Sequence, residues 1–174
     1  MSAHVIVITG PRASGKSTFA SQVHDALPGS VLLHVDEPFH SVLSQQRSRW
    51  NGREIELYAM VLRHQLAFAH DLAALCPVIV DATVLPDQLA PLIDRPPVPV
   101  LSVIVLLPPL QECLANEHRP TRTVPVHEEK VRTTWTQMQA WRSVTGISVS
   151  ILDGNEQQRM KMLTTALQQL QQEL

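Results

Sequence analysis

A short β-branched run, His4-Val5-Ile6-Val7-Ile8-Thr9, ends directly on Gly10-Pro11-Arg12-Ala13-Ser14-Gly15-Lys16-Ser17. This junction limits the possible fold more than any other stretch of the chain. The spacing G-x-x-x-x-G-K-S lets the backbone curl into a nest whose N–H groups converge on phosphates. It also brings Lys16 within reach of a β- or γ-phosphate and offers the Ser17 hydroxyl to Mg2+. From Thr18 onward, Phe19, Val23 and Leu27 follow at helical spacing, and Pro28-Gly29 close the helix. Strand, loop and helix in that order imply that residues 10–18 bind a nucleoside triphosphate. Arg12, inside the loop, reads equally as a phosphate contact or as a solvent-facing side chain.

The rest of the chain repeats the alternation. Strand-like runs at 31–35, 77–80, 100–107 and 147–152 are separated by helical patterns at about 53–75, 108–117 and 125–142, with a short helix opened by Pro86. Residues 37–50 read as a polar stretch, and 156–174 as a terminal helix whose Met160, Leu163, Leu167 and Leu170 form a docking face. This is an α/β pattern of βαβ units around a parallel sheet covered on both faces. On the long helix the expected inward face is Ile55, Tyr58, Leu62, Leu66 and Ala69. On the 125–142 helix it is Val131, Trp135, Met138 and Trp141. With neither an internal repeat nor a composition break, residues 1–174 read as one domain.

Composition excludes several classes of function. A formal net charge of −2 leaves no electrostatic footprint for long nucleic acids. No apolar run approaches the roughly 18 residues of a membrane helix, and the first residues lack the basic and apolar segments of a signal peptide. Cys76 and Cys113, isolated in apolar segments, read as reduced core residues of a cytoplasmic protein. The histidines show no metal-ligand spacing, and His34 and His64 read as packed side chains.

In an open parallel sheet, ligands gather beyond the carboxyl ends of the strands. Asp36 follows the second strand and Asp81 closes the third, so both share that edge with the phosphate loop. Asp36 is placed to orient or deprotonate an acceptor hydroxyl, its alternative role being a helix cap. Asp81, ending Val78-Ile79-Val80, is placed like the Walker B aspartate that helps hold Mg2+ through water. Arg119 and Arg122 lie in a polar segment, about 118–127, that reads as a short lid able to neutralise charge on the triphosphate. Phe39, Arg49, Trp50 and Arg53, between Asp36 and the long helix, read as an acceptor pocket or as an ordinary polar surface.

On the motif GPRASGKS, Val35-Asp36, Asp81 and the Arg119/Arg122 segment followed by residues 124–131, the chain resembles small P-loop kinases related to chloramphenicol phosphotransferase and the zeta-toxin group. The resemblance implies a five-stranded parallel sheet with the phosphate-loop strand central, ATP·Mg2+ as donor and Asp36 as catalytic base. It also implies adenine packing near the lid and the Asp153-Gly154-Asn155 loop. The absence of a large inserted domain fits a bulky nucleotide-sugar substrate poorly. The leading expectation is a kinase that phosphorylates a hydroxyl of a small molecule, with antibiotics and other natural products among the candidates. The alternatives are a nucleoside, nucleotide or polynucleotide-end kinase and, from another class, a nucleotide-dependent switch ATPase. Against the switch stands the lack of an Asn-Lys-x-Asp guanine motif.

Overall fold

In the computed structural model, residues 4–45, 49, 51–119, 127–154, 157–159, 161–162, 164–165 and 168 are described. Five strands form one sheet: β1 (His4–Thr9), β2 (Val31–His34), β3 (Val78–Asp81), β4 (Val100–Leu107) and β5 (Ser148–Asp153). Their spatial order is β2-β3-β1-β4-β5, and every pairing is parallel. The phosphate-loop strand is therefore central, as expected. Register brings Ile8 opposite Asp81, and His34 opposite Asp81 on the other side.

Strand alternation sorts the core onto two faces. Val5, Val7, Val78, Val80, Val103 and Val105 face one layer, where Leu57, Leu62, Leu66, Met138 and Trp141 pack. Ile6, Ile8, Ile79, Ile104 and Leu106 face the other, against Phe19, Ala20 and Val23 of α1 (Lys16–Ala26) and Leu27 just past its end. Each such Val, Leu, Ile, Phe or Met side chain, fully buried, contributes about 1.5–3 kcal/mol relative to exposure. The sheet is thus anchored from both sides directly beneath the phosphate loop.

The stretch from residue 37 to 50 differs from its polar reading. Residues Asp36–Gln45 form a helix, α2. Two acids and Pro38 in the first turn favour helix initiation, and Phe39, Val42 and Leu43 recur at helical spacing to pack on the core. The long helix α3 (Glu54–Leu72) is followed by a 3-10 turn (Pro86–Leu89), a single-turn α4 (Ala90–Ile93) and α5 (Leu110–Glu117). After α6 (Glu128–Met138), a second 3-10 turn (Gln139–Ser143) leads to β5.

Ile55 does not join the inward face of α3: it is 87% exposed, whereas Leu57, Val61, Leu62, Leu66, Ala69 and His70 are buried. Leu57, in the same first turn, is fully buried, so at this end of α3 the core meets the Leu57–Val61 side of the helix and leaves Ile55 in solvent. The stripe on α6 and the turn after it is as expected for Val131, Met138 and Trp141, with Trp135 half-buried. Both cysteines are free. Beyond β5, residues 157–159, 161–162, 164–165 and 168 are helical, while the expected docking residues Met160, Leu163, Leu167 and Leu170 lie outside the described residues.

Candidate active site

The loop from Gly10 to Ser17 joins β1 to α1 by a path that specific residues make possible. A Cβ on Gly10 would stand 2.5 Å from the Leu106 carbonyl oxygen and 2.7 Å from Ser14 Oγ, so only glycine fits there. Gly15, the N-cap of α1, has φ 85°, and Ala13 adopts φ 63°. Left-handed backbone at two positions is what turns successive N–H groups inward. Lys16 is largely buried at the head of α1, with Ser17 and Thr18 exposed beside it. The Ser14 hydroxyl is buried without a hydrogen-bond partner among the described residues.

Neighbouring helices hold the loop from outside. Asn116 Nδ2 of α5 donates to the Ala13 carbonyl (3.1 Å), and the Arg12 amide donates to Thr134 Oγ1 of α6 (3.2 Å). Arg12 Nε donates to Glu117 Oε1 at 2.8 Å, and Glu117 is fully buried. The same oxygen accepts from the His127 amide at 2.9 Å. Glu117 thus joins the phosphate loop to both stems of the segment 118–127, and Arg12 is engaged with a carboxylate. Across those stems His118 Nε2 also meets Glu128 Oε1 at 2.7 Å.

At the ends of β2 and β3, Asp36 opens α2 half-buried, and Asp81 is only 4% exposed. Asp81 Oδ2 lies 2.9 Å from His34 Nδ1, while Oδ1 is buried without a hydrogen-bond partner among the described residues. Because a carboxylate only accepts, the shared proton is carried by His34 Nδ1. Past Asp81 the backbone is pinned. The Val84 amide donates to Thr9 Oγ1 (2.8 Å), and Trp141 Nε1 donates to the Val84 carbonyl (3.0 Å).

Tyr58 of α3 locks the same loop: its hydroxyl accepts from the Thr83 amide at 3.0 Å and donates to the Thr83 carbonyl at 3.4 Å. Thr83 Oγ1 in turn donates to the Gly10 carbonyl (3.4 Å). The Tyr58 ring meets Phe39 edge-on, centroids 5.4 Å apart. Burial, followed by the charge of Asp36 and then that of Asp81, pushes the Tyr58 hydroxyl well above its ordinary value, so it stays protonated. The two aspartates and Tyr58 therefore share one electrostatic neighbourhood beside the phosphate loop.

Of the expected acceptor residues, Phe39 is half-buried against the core and Arg49 is exposed. Arg53 is exposed at the N-cap of α3 and pairs with Glu56. Trp50, Arg122 and Asn155 lie outside the described residues, as does most of the 118–127 segment. Arg119 is exposed just past α5. His34, Tyr58, Thr83 and Glu117 belong to the site's framework without having been read as such. Adjacent strand ends were the available signal for His34 and Asp81; the Arg12–Glu117 pair, 105 residues apart in the chain, left none.

Strand order 2-3-1-4-5 with G-x-x-x-x-G-K-S after the central strand defines a kinase-like P-loop nucleotide-binding fold. The chain belongs to the AAA_33 family, described as an AAA domain, whose match spans residues 5–145. No curated protein matches it in sequence. In fold it is similar to a sugar kinase from Janibacter sp. HTCC2649 (TM-score 0.67, 20% identity, 98% of this chain and 95% of that one). It is also similar to a tunicamycin resistance protein of Deinococcus radiodurans (0.60, 20%, 94% and 95%). A third likeness is to the deoxyadenosine kinase of M. mycoides (0.63, 16%, 97% and 99%). No helix among the described residues is long and apolar enough to cross a membrane.

Proposed function

We propose that the chain is an ATP-dependent phosphotransferase that moves the γ-phosphate onto a hydroxyl of a small molecule. The observation that carries this reading is the pair of strand-end carboxylates beside the phosphate loop. Asp36 is half-buried at the head of α2, and Asp81 keeps one buried oxygen unpartnered among the described residues. A nucleotide switch has a use for Asp81 but none for Asp36. The resemblance of its motifs to the chloramphenicol phosphotransferase and zeta-toxin group, and the similar fold of a tunicamycin resistance protein, support antibiotics and other natural products as acceptors.

The loop amides and Lys16 bind the β- and γ-phosphates. Asp36 accepts a hydrogen bond from the acceptor hydroxyl and takes its proton as the new O–P bond forms and the bond to the β-phosphate oxygen breaks. Because the transition state is loose, aligning the acceptor contributes more than making it a stronger nucleophile. Arg119 and Arg122 neutralise charge on the transferred group.

Mg2+ fits the residues present. Ser17 follows Lys16 at the head of α1, and the open Asp81 Oδ1 suits a metal-bound water. No group of three or more His, Cys, Asp or Glu among the described residues could hold a metal alone, so Ser17 and Asp81 would hold the ion together with the nucleotide's phosphates. When bound it neutralises the β- and γ-phosphate charge.

The test is ADP release by the purified protein with ATP·Mg2+ across a panel of sugars, nucleosides and hydroxyl-bearing antibiotics. Turnover that depends on one acceptor class supports the reading and names the acceptor. Equal turnover with and without every acceptor overturns it in favour of a switch ATPase.

A further inference from the structure

The His34–Asp81 pair goes beyond the roles assigned so far. Parallel register sets His34 directly opposite Asp81 at the carboxyl ends of β2 and β3. His34 Nδ1 holds Asp81 Oδ2 at 2.9 Å, the His34 side chain is 29% exposed, and Asp81 is 4% exposed. The carboxylate is therefore asymmetric. One oxygen is committed to the imidazole, and the other is buried and open among the described residues. An unpartnered buried carboxylate oxygen is destabilising unless a ligand completes it. A side chain with one oxygen tied also loses the freedom to rotate away from that ligand.

We propose that His34 is a positioning residue for the metal side of phosphoryl transfer. By holding Asp81 Oδ2, it fixes the carboxylate rotamer and reserves Oδ1 for the water shell of nucleotide-bound Mg2+. The inference rests on the proposed use of ATP·Mg2+. It assigns a function to a half-buried histidine whose sequence reading was packing alone. Its physical basis is general: a hydrogen-bond partner behind a direct metal ligand is commonly worth about 10–100-fold in metal affinity, and a carboxylate that acts through the ion's water shell belongs at the lower end of that range. Here the donor matters by position, since only a group at the Nδ1 site reaches Oδ2.

That requirement separates positioning from simple packing. Asparagine places its amide nitrogen at the same distance along the side chain as Nδ1, whereas glutamine places it one bond further, nearer the Nε2 position. The experiment is calorimetric titration of ADP, with and without Mg2+, into the wild-type chain and the full-length His34→Ala, His34→Asn and His34→Gln variants. Thermal melting is recorded for each. The wild type is expected to bind ADP more tightly with Mg2+. His34→Ala and His34→Gln should lose about tenfold or more of that enhancement while ADP affinity without Mg2+ holds. His34→Asn should regain most of it.

Full Mg2+ enhancement in His34→Ala, with wild-type binding intact, overturns this inference alone. So does an equal loss in all three folded variants, which would make His34 a packing residue. If His34→Ala fails to fold, the contrast between His34→Asn and His34→Gln decides by itself. A wild type that binds no Mg·ADP overturns the proposed function, and this inference with it.

Discussion

A methyl group on Gly10 would collide with the Leu106 carbonyl at 2.5 Å, so Gly10→Ala must push β1 away from β4 or reshape the loop. The expected cost is about 1–3 kcal/mol by urea unfolding, with loss of ADP binding in a titration of the folded fraction. Glu117 poses the complementary problem of a fully buried carboxylate. Arg12→Ala removes a charged donor from it and should destabilise by about 2–3 kcal/mol. Adding Glu117→Gln should recover part of that, because the residual buried group is then neutral. A double variant no more stable than Arg12→Ala would show that charge is not the cause. Asp36→Asn should keep ADP affinity and lower kcat by about 10²-fold or more, measured as acceptor-dependent ADP release; retained turnover would refute its role as base. The places of Lys16, Asp36 and Asp81 in the fold could be read from the sequence because each is fixed by a local pattern, a motif or a strand end. Glu117 could not, since its partner Arg12 lies 105 residues away, and the His34–Asp81 pair, 47 residues apart, left only the ends of two strands as a signal until the sheet set them side by side.

At the scale of elements, five strands were legible because β-branched runs bounded by Gly, Pro and Asp can do little else in a two-faced sheet. Helix α2 was harder. Its apolar positions are few, and its polar composition matches that of a surface loop. What makes it helical is tertiary, through Phe39, Val42 and Leu43 docking on the core. That docking is how α2 delivers Asp36, and Tyr58 mediates it by touching Phe39 with its ring and Thr83 with its hydroxyl. Tyr58→Phe keeps the ring and leaves the Thr83 amide without that acceptor, for a loss of about 1–3 kcal/mol. Its functional signature should be a fall in kcat with little change in the KM for ATP. The segment between Asp81 and Val84 would loosen, while the phosphate loop remains held by Asn116 and Thr134. A variant that raised the KM for ATP and left kcat intact would show that Tyr58 supports the nucleotide side instead.

For the molecule as a whole, the buried proton donors set a limit on the alkaline side. Burial, helped by the charge of Glu112, raises the Cys113 thiol from an ordinary 9.0 to about 11, and the Tyr58 hydroxyl is raised by burial and Asp36. In the unfolded chain both groups ionise at their ordinary values; in the native protein they keep their protons. Between pH 9 and 11 the native state therefore binds more protons than the unfolded one, and stability falls as pH rises through that window. The Cys113 contribution is fully present below about pH 9 and gone once the native thiol ionises near 11. Each group that differs fully in protonation contributes a slope of about 1.4 kcal/mol per pH unit. Urea unfolding at pH 7, 9 and 10 should show this decline in the wild type. Cys113→Ala should start less stable, because it leaves a small cavity beside Leu114 and Val131, yet decline less steeply above pH 9. Parallel curves for the two proteins would show that this thiol is not what the native fold keeps protonated. At pH 8, where the native thiol is protonated, Cys113 should also resist alkylation until the core formed by α5 and α6 opens. The rate of its modification then reports how often the helices that hold Asn116, Glu117 and Thr134 against the phosphate loop come apart.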